Sequence, residues 1–172
     1  MRAVSPQATR PPPIARPFNS PLECGLRMLF VLAASKATPC DLQRLIVYDY
    51  LMVHSGDVEG PVSLHPAVPF RGGEMLVKRD VLKAGLDQMF SKELLEKRFD
   101  AGGISYCGTA LTTAFVGLMA NPYSEALRWR ARWVVERFSP LSDHELTTFM
   151  DENLGRWGAE FDRYTALNDL EL

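Results

Sequence analysis

Five side chains able to do acid–base or ligand chemistry, Asp49, His54, Ser55, Asp57 and His65, fall in one short stretch of this chain. His, Ser and Asp are the residue types of a hydrolase triad, in which an imidazole takes the hydroxyl proton and a carboxylate orients the imidazole. A triad is made by geometry, however, and the near neighbours His54-Ser55-Gly56-Asp57 rarely meet in that arrangement. Asp49, His54, Asp57 and His65 are also ordinary metal ligands, the kit of a small metal-dependent hydrolase, but no recognised ligand spacing is present. The reading preferred on these residues is that they cap a helix end and brace a loop by hydrogen bonds. No GxxxxGK[ST] loop, GxGxxG turn, CxxC pair or HExxH helix occurs, so the chain is expected to be no enzyme, with no catalytic residue, cofactor or metal of its own.

Two elements must position this cluster. Thr38-Pro39-Cys40-Asp41 reads as a helix start, opening a helix through about His54 whose apolar stripe is Leu42, Leu45, Ile46, Met52 and Val53. Asp49 falls on the same face, and a buried carboxylate needs a partner; Tyr48, Tyr50, Arg71 or a loop amide are the candidates. A loop of about nineteen residues follows. Connections that long inside a compact domain are usually functional or disordered. Here Val62, Leu64, Val68 and Phe70 alternate with Pro61, Pro66 and Pro69, a composition that packs down.

The rest of the chain supplies a helical body. Residues 1–17 hold Arg2, Arg10 and Arg16 with a Pro11-Pro12-Pro13 run and read as a flexible or extended arm. Ser20-Pro21-Leu22-Glu23 is a capping-box start for a first helix with Leu22, Leu26, Leu29, Phe30 and Ala33 on one face. A third helix is expected from Glu74 to about Ser91, with Val81, Leu82, Leu86, Met89 and Phe90 facing the core. Leu94–Phe99 and Ile104–Cys107 then flank Asp100-Ala101-Gly102-Gly103, a hairpin turn. Thr109 caps a fourth helix carrying Leu111, Ala114, Phe115, Leu118 and Met119, which Asn121-Pro122 ends. Two more helices follow, from Ser124 to Phe138 and from a capping box at Ser142-Asp143-His144-Glu145; Gly155 and Gly158 allow a kink or close contact at Trp157. Three helices and then a hairpin is the order of a winged helix. The expected architecture is mainly α with a small β-hairpin: an arm over 1–17, a winged-helix-like domain over 18–120, and a C-terminal helical extension with an acidic tail over 121–172.

Composition narrows the partners. With 172 residues and 47% hydrophobic content the chain can bury a core. Its net charge of −2 and pI near 5.9 argue against a stand-alone nucleic-acid binder. Candidate contacts to a DNA backbone are Lys78, Arg79, Lys83, Lys97 and Arg98, but Glu74, Asp80, Asp87, Glu93 and Glu96 are interspersed with them. Without strong basic bias a winged helix is as well suited to docking protein. Trp129 and Trp133, beside Arg128 and Arg132, read first as core and second as partner anchors. Cys24, Cys40 and Cys107, odd in number and widely spaced, suit reduced thiols. No apolar run is long enough to cross a bilayer and the N-terminus lacks a signal peptide's apolar segment, so the expected compartment is the cytoplasm, with no membrane partner.

At FNSPLECGLRMLFVL, DLQRLIVYDYLMVHSGDV, GPVSLHPAVPFRGGEMLVKR and LGRWGAEF, between about Phe18 and Phe161, the chain resembles the middle components of bacterial ABC-three-component systems, among them the Lamassu antiphage systems. The resemblance implies a non-enzymatic, winged-helix-like accessory subunit, comparable to the kleisin-associated subunits of SMC complexes. It implies an SMC-like ATPase partner that senses foreign DNA, a restrained nuclease-like effector, and double-stranded DNA met indirectly through the complex. The residues expected to dock partners or brace the loop are Asp49, His54, Asp57, His65, Arg71, Trp129, Trp133 and Trp157. The alternative is a winged-helix transcriptional regulator binding DNA alone.

Overall fold

The computed structural model describes residues 20–36, 38–67 and 71–153, with side chains from residue 78 onward in the last span. The arm, the side chain of Arg71, the packing of Val68 and Phe70, and Trp157 with its flanking glycines lie outside the described residues. Helix α1 (Pro21–Ala34) runs through the middle of the molecule, packed against the helices that follow it. Ser20 Oγ accepts from the Glu23 amide at 3.2 Å and Pro21 opens the first turn, as the cap predicts. The Glu23 carboxylate does not complete a capping box, because it is drawn to Arg27 one turn on. Leu22, expected in the core, is 51% exposed; Leu29 and Phe30 are buried as expected, together with Cys24, Gly25, Arg27, Met28, Val31 and Leu32.

Strand β1 (Cys40–Asp41) and helix α2 (Leu42–Val53) correct the expected second helix. The cap is Asp41, whose carboxylate accepts from the Arg44 amide at 2.7 Å. Cys40 and Asp41 are extended and pair antiparallel with Tyr106 and Ser105. Helix α3 (Arg71–Ser91) starts three residues before Glu74. Leu82, Leu86 and Met89 are buried as expected, but Phe90 is 45% exposed, with Lys97 Nζ 4.6 Å above its ring. Strands β2 (Glu96–Asp100) and β3 (Gly103–Cys107) form the hairpin, and Gly103 takes the positive φ, +118°, that the turn requires. The fold is mainly helical with a small antiparallel sheet of order β1-β3-β2.

Helix α4 (Ala110–Gly117) has the Thr109 cap and only part of the expected face, since Phe115 and Met119 pack against the core. Leu111 and Leu118 are 49% and 82% exposed, whereas Thr112 and Val116 are buried. Thr112 turns inward because its hydroxyl donates to the Leu94 carbonyl at 2.6 Å. Asn121-Pro122, read as the end of α4, begins α5 (Pro122–Phe138): Asn121 Oδ1 accepts from the Ser124 amide and Pro122 takes the first turn. Leu127, Ala131, Val134 and Phe138 of α5 join the same core as α1 to α3, and so do Leu146 and Met150 of α6 (143–153). Arg44 ties the ends of these helices together, donating to the Phe138 and Leu141 carbonyls and pairing with Asp143 at 2.6 Å. The Ser142–Glu145 capping box forms as expected.

Candidate functional site

Asp49 is wholly buried, and its partner comes from α1. Arg27 Nε donates to Oδ1 at 2.7 Å and Nη2 to Oδ2 at 3.0 Å, a bidentate fork. The same guanidinium donates from Nη1 to Glu23 at 2.7 Å, and Lys78 of α3 brings Nζ to 3.8 Å from Asp49 Oδ2. Three helices therefore meet on one carboxylate. Burial alone would raise the Asp49 carboxyl, but the charge and hydrogen bonds of Arg27, with Lys78 behind them, hold it below its ordinary 3.8. Beside them Cys24 is pushed up to about 11, by burial first and by the Asp49 charge second, which keeps it a thiol near neutral pH. Of the partners that the sequence suggests for Asp49, the Tyr48 hydroxyl bonds Arg44 and the Tyr50 hydroxyl bonds Asp57 instead. The signal for Arg27 is nonetheless in the sequence, as the one charge inside the apolar run from Cys24 to Leu32 and four residues beyond Glu23.

The loop folds back against the helix that leads into it. A 3-10 turn (Ser55–Val58) follows α2, and Glu59 takes a left-handed φ of 56°. The amides of Leu64 and His65 both donate to the Val53 carbonyl, at 2.9 and 3.0 Å. Inside that closure Ser55 Oγ donates to the Pro61 carbonyl at 2.8 Å, the Gly56 amide to Ser63 Oγ at 3.0 Å, and the Tyr50 hydroxyl to Asp57 at 2.6 Å. Gly60 sits so close to Trp133 that a Cβ would come within 2.5 Å of the indole. Ser55 is thus engaged with a backbone carbonyl rather than with His54. Among the described residues no group of three or more His, Cys, Asp or Glu is placed to hold a metal ion.

His65 links the loop to α5. Its Nε2 and the Tyr123 hydroxyl share a hydrogen bond of 2.8 Å, the two rings are stacked, and His54 meets its ring edge-on at 6.0 Å. Burial, then the positive field of Arg27, lowers its pKa from the ordinary 6.5, with Lys78 adding to that field and Glu23 and Asp49 opposing it. The unfolded chain binds the proton more readily, so stability is intact above pH 6.5 and falls as the pH drops below it. In His65→Gln that decline should be shallower in a pH series of melting temperatures; a slope equal to the wild type would show that His65 is not its source.

The remaining candidates separate by burial. Lys78 is 5% exposed and turned toward Asp49, so it leaves the DNA-contact set as a correction: its ammonium is held inside the ion cluster. Lys83 and Lys97 both pair with Asp87, at 3.2 and 2.6 Å. Arg79 donates to Gln43 at 3.4 Å, and Arg98 lies exposed on β2. Trp133 is half-buried between Gly60 and Phe138, but Trp129 is 53% exposed, against the expectation of core packing for both. Arg130, singled out by no sequence pattern, is 8% exposed, stacks on Trp129 with Cζ 4.6 Å from the ring centre, and donates from Nη2 to the Val62 carbonyl.

The arrangement is that of a helical domain whose polar centre fixes three helices and a loop. A family model, the ABC-three component (ABC-3C) system Middle Component 2, matches residues 17–160, and the chain belongs to that family. No curated protein and no solved structure matches it.

Proposed function

We propose that this middle component is a non-enzymatic, winged-helix-like accessory subunit of a cytoplasmic, Lamassu-type defence complex. It would bridge an SMC-like ATPase and a nuclease-like effector. The observation that carries the reading is that four of the five acid–base side chains gathered in this stretch are engaged by other groups. Asp49 is held by Arg27, Asp57 by Tyr50, His65 by Tyr123 and Ser55 by a carbonyl. This is chemistry for rigidity, and it leaves a firm loop and exposed aromatic side chains as surface for partners. The order α1-β1-α2-α3-β2-β3 with sheet order β1-β3-β2 supports the winged-helix description. Contact with DNA is assigned to the assembled complex, because the exposed cations on α3 and the hairpin are few and two of the lysines share Asp87.

Co-expression with the other two components of its system tests this directly. The chain should co-purify with the ATPase component in low salt. Elution alone, combined with tight duplex binding that falls steeply with salt and is lost in Arg79→Ala/Arg98→Ala, would favour a regulator acting by itself.

A further inference from the structure

Arg130 is a buried cation with no acid beside it among the described residues. Among the described residues it makes no ion pair: Nη2 donates to the Val62 carbonyl, while Nε is enclosed and has no hydrogen-bond partner. Burial lowers its pKa from 12.5 with no acidic group opposing the shift. Desolvating a charge in this way is costly unless a counter-ion completes the site. Around it stand two apolar groups turned to solvent, Trp129 at 53% exposure and Val62 at 85%. Val62 projects from a loop that the Val53 carbonyl, Ser63 and Arg130 itself hold in place, so ordering it on binding adds little entropic cost.

We propose that Val62, Trp129 and Arg130 form a docking surface for a protein partner, whose Asp or Glu side chain, flanked by apolar residues, pairs with the Arg130 guanidinium. Trp129 and Val62 supply the apolar contact, and rotation of the half-exposed indole opens Nε to the carboxylate. Trp and Arg side by side, with a firmly held apolar contact next to them, are the residue types enriched in interface hot spots. The charge picks the partner's sign. The burial picks its class: a phosphate backbone is met by cations extended on their stems, whereas Arg130 lies back under its own indole beside an apolar loop tip.

The surface rests on the reading of this chain as a complex subunit, and one set of measurements separates the two. Full-length wild type, Trp129→Ala, Val62→Glu and Arg130→Lys are each co-expressed with the other two components, with Leu118→Glu as an exposed substitution on α4. Trp129→Ala and Val62→Glu should each weaken binding of one component by about 30-fold or more, as loss of a hot spot does. Arg130→Lys, which keeps charge but loses the fork, should fall between; Leu118→Glu should bind as wild type, and all should melt near the wild-type temperature. A photo-cross-linker at position 129 should capture a peptide of that component containing Asp or Glu. Wild-type affinity in both patch variants overturns the surface alone, as does a cross-link to a second copy of this chain or to a peptide without an acid. Loss of binding to a short duplex oligonucleotide with the protein partner retained overturns it in favour of nucleic acid. If wild type joins neither component, the complex reading falls and the surface with it.

Discussion

Asp49→Asn should be among the most destabilising single substitutions in this protein, and more so than Arg27→Met. Asparagine keeps the shape of aspartate but removes the carboxylate that, among the described residues, Arg27 and Lys78 share, and these two are 1% and 5% exposed. Arg27 keeps Glu23 at 2.7 Å, but the wholly buried charge on which both cations converge is replaced by a neutral amide. Arg27→Met is the milder break, because Lys78 still stands 3.8 Å from the carboxylate it leaves behind. Removing one side of a buried pair costs about 3–5 kcal/mol, and in a chain of this length that is roughly 6–20 °C of melting temperature. Urea titrations of both variants measure it. The idea fails if Asp49→Asn stays within about 1 kcal/mol of wild type, or if the order of the two is reversed. The pH dependence has a defined sign. The folded carboxyl titrates below 3.8, so its contribution is present above that value and disappears as the pH falls through the lower, folded one. Asp49→Asn should lack that limb of the acid transition.

The second large effect is expected at the crossing of α1 and α3. Gly25 and Gly85 face each other there: a Cβ on Gly85 would lie 2.2 Å from the Pro21 carbonyl oxygen and 2.7 Å from the Gly25 amide nitrogen. Both obstacles are backbone, so alanine can be admitted only by moving the helices apart, and the core they share includes Met28, Leu29, Leu82 and Leu86. Overpacking of this kind costs about 1–3 kcal/mol, and the roughly 1 kcal/mol by which alanine favours a helix over glycine does not offset it. Gly85→Ala should therefore destabilise and Gly85→Val should do so more. Gly117→Ala, where nothing stands within 4 Å, should be neutral or stabilising. Thermal melts of the three decide it, and a Gly85→Ala protein as stable as wild type would mean that the two helices have room to spare.

These two sites also mark what the sequence could and could not tell. Caps were legible at Ser20, Thr109 and Ser142, because capping joins residues three apart and leaves a local signature. The burial of Asp49 was legible from its place in a 3.6-residue period. Its partner was not, because Arg27 lies 22 residues away and only the packing of α1 on α2 brings them together. Lys78 shows the same limit from the other side, since a tally of charge does not say which lysine turns inward. Thr38 to Asp41 carried the residues of a helix start, yet only Asp41 caps, and a strand of two residues is too short to leave an alternating pattern. In α4 hydrophobic residues occupy both sides of a short uncharged helix, so periodicity could not choose between the Leu111–Leu118 face and the Thr112–Val116 face. The choice was made by the need of the Leu94 carbonyl for a donor. The family match extends over the stretch from Asp49 to His65 whose polar residues invited a catalytic reading, and there the structure ties Asp57 to Tyr50 and Ser55 to the Pro61 carbonyl.

The Val53 carbonyl that receives both Leu64 and His65 makes the segment between them a closed lobe, entering and leaving at one atom. Its contour length is therefore uncoupled from the distance between the helices on either side. Residues could be inserted or removed at its exposed turn, around Glu59, without shifting the end of α2, since closure entropy changes only slowly with loop length. Such a lobe can change what it presents while the domain beneath it keeps the same frame.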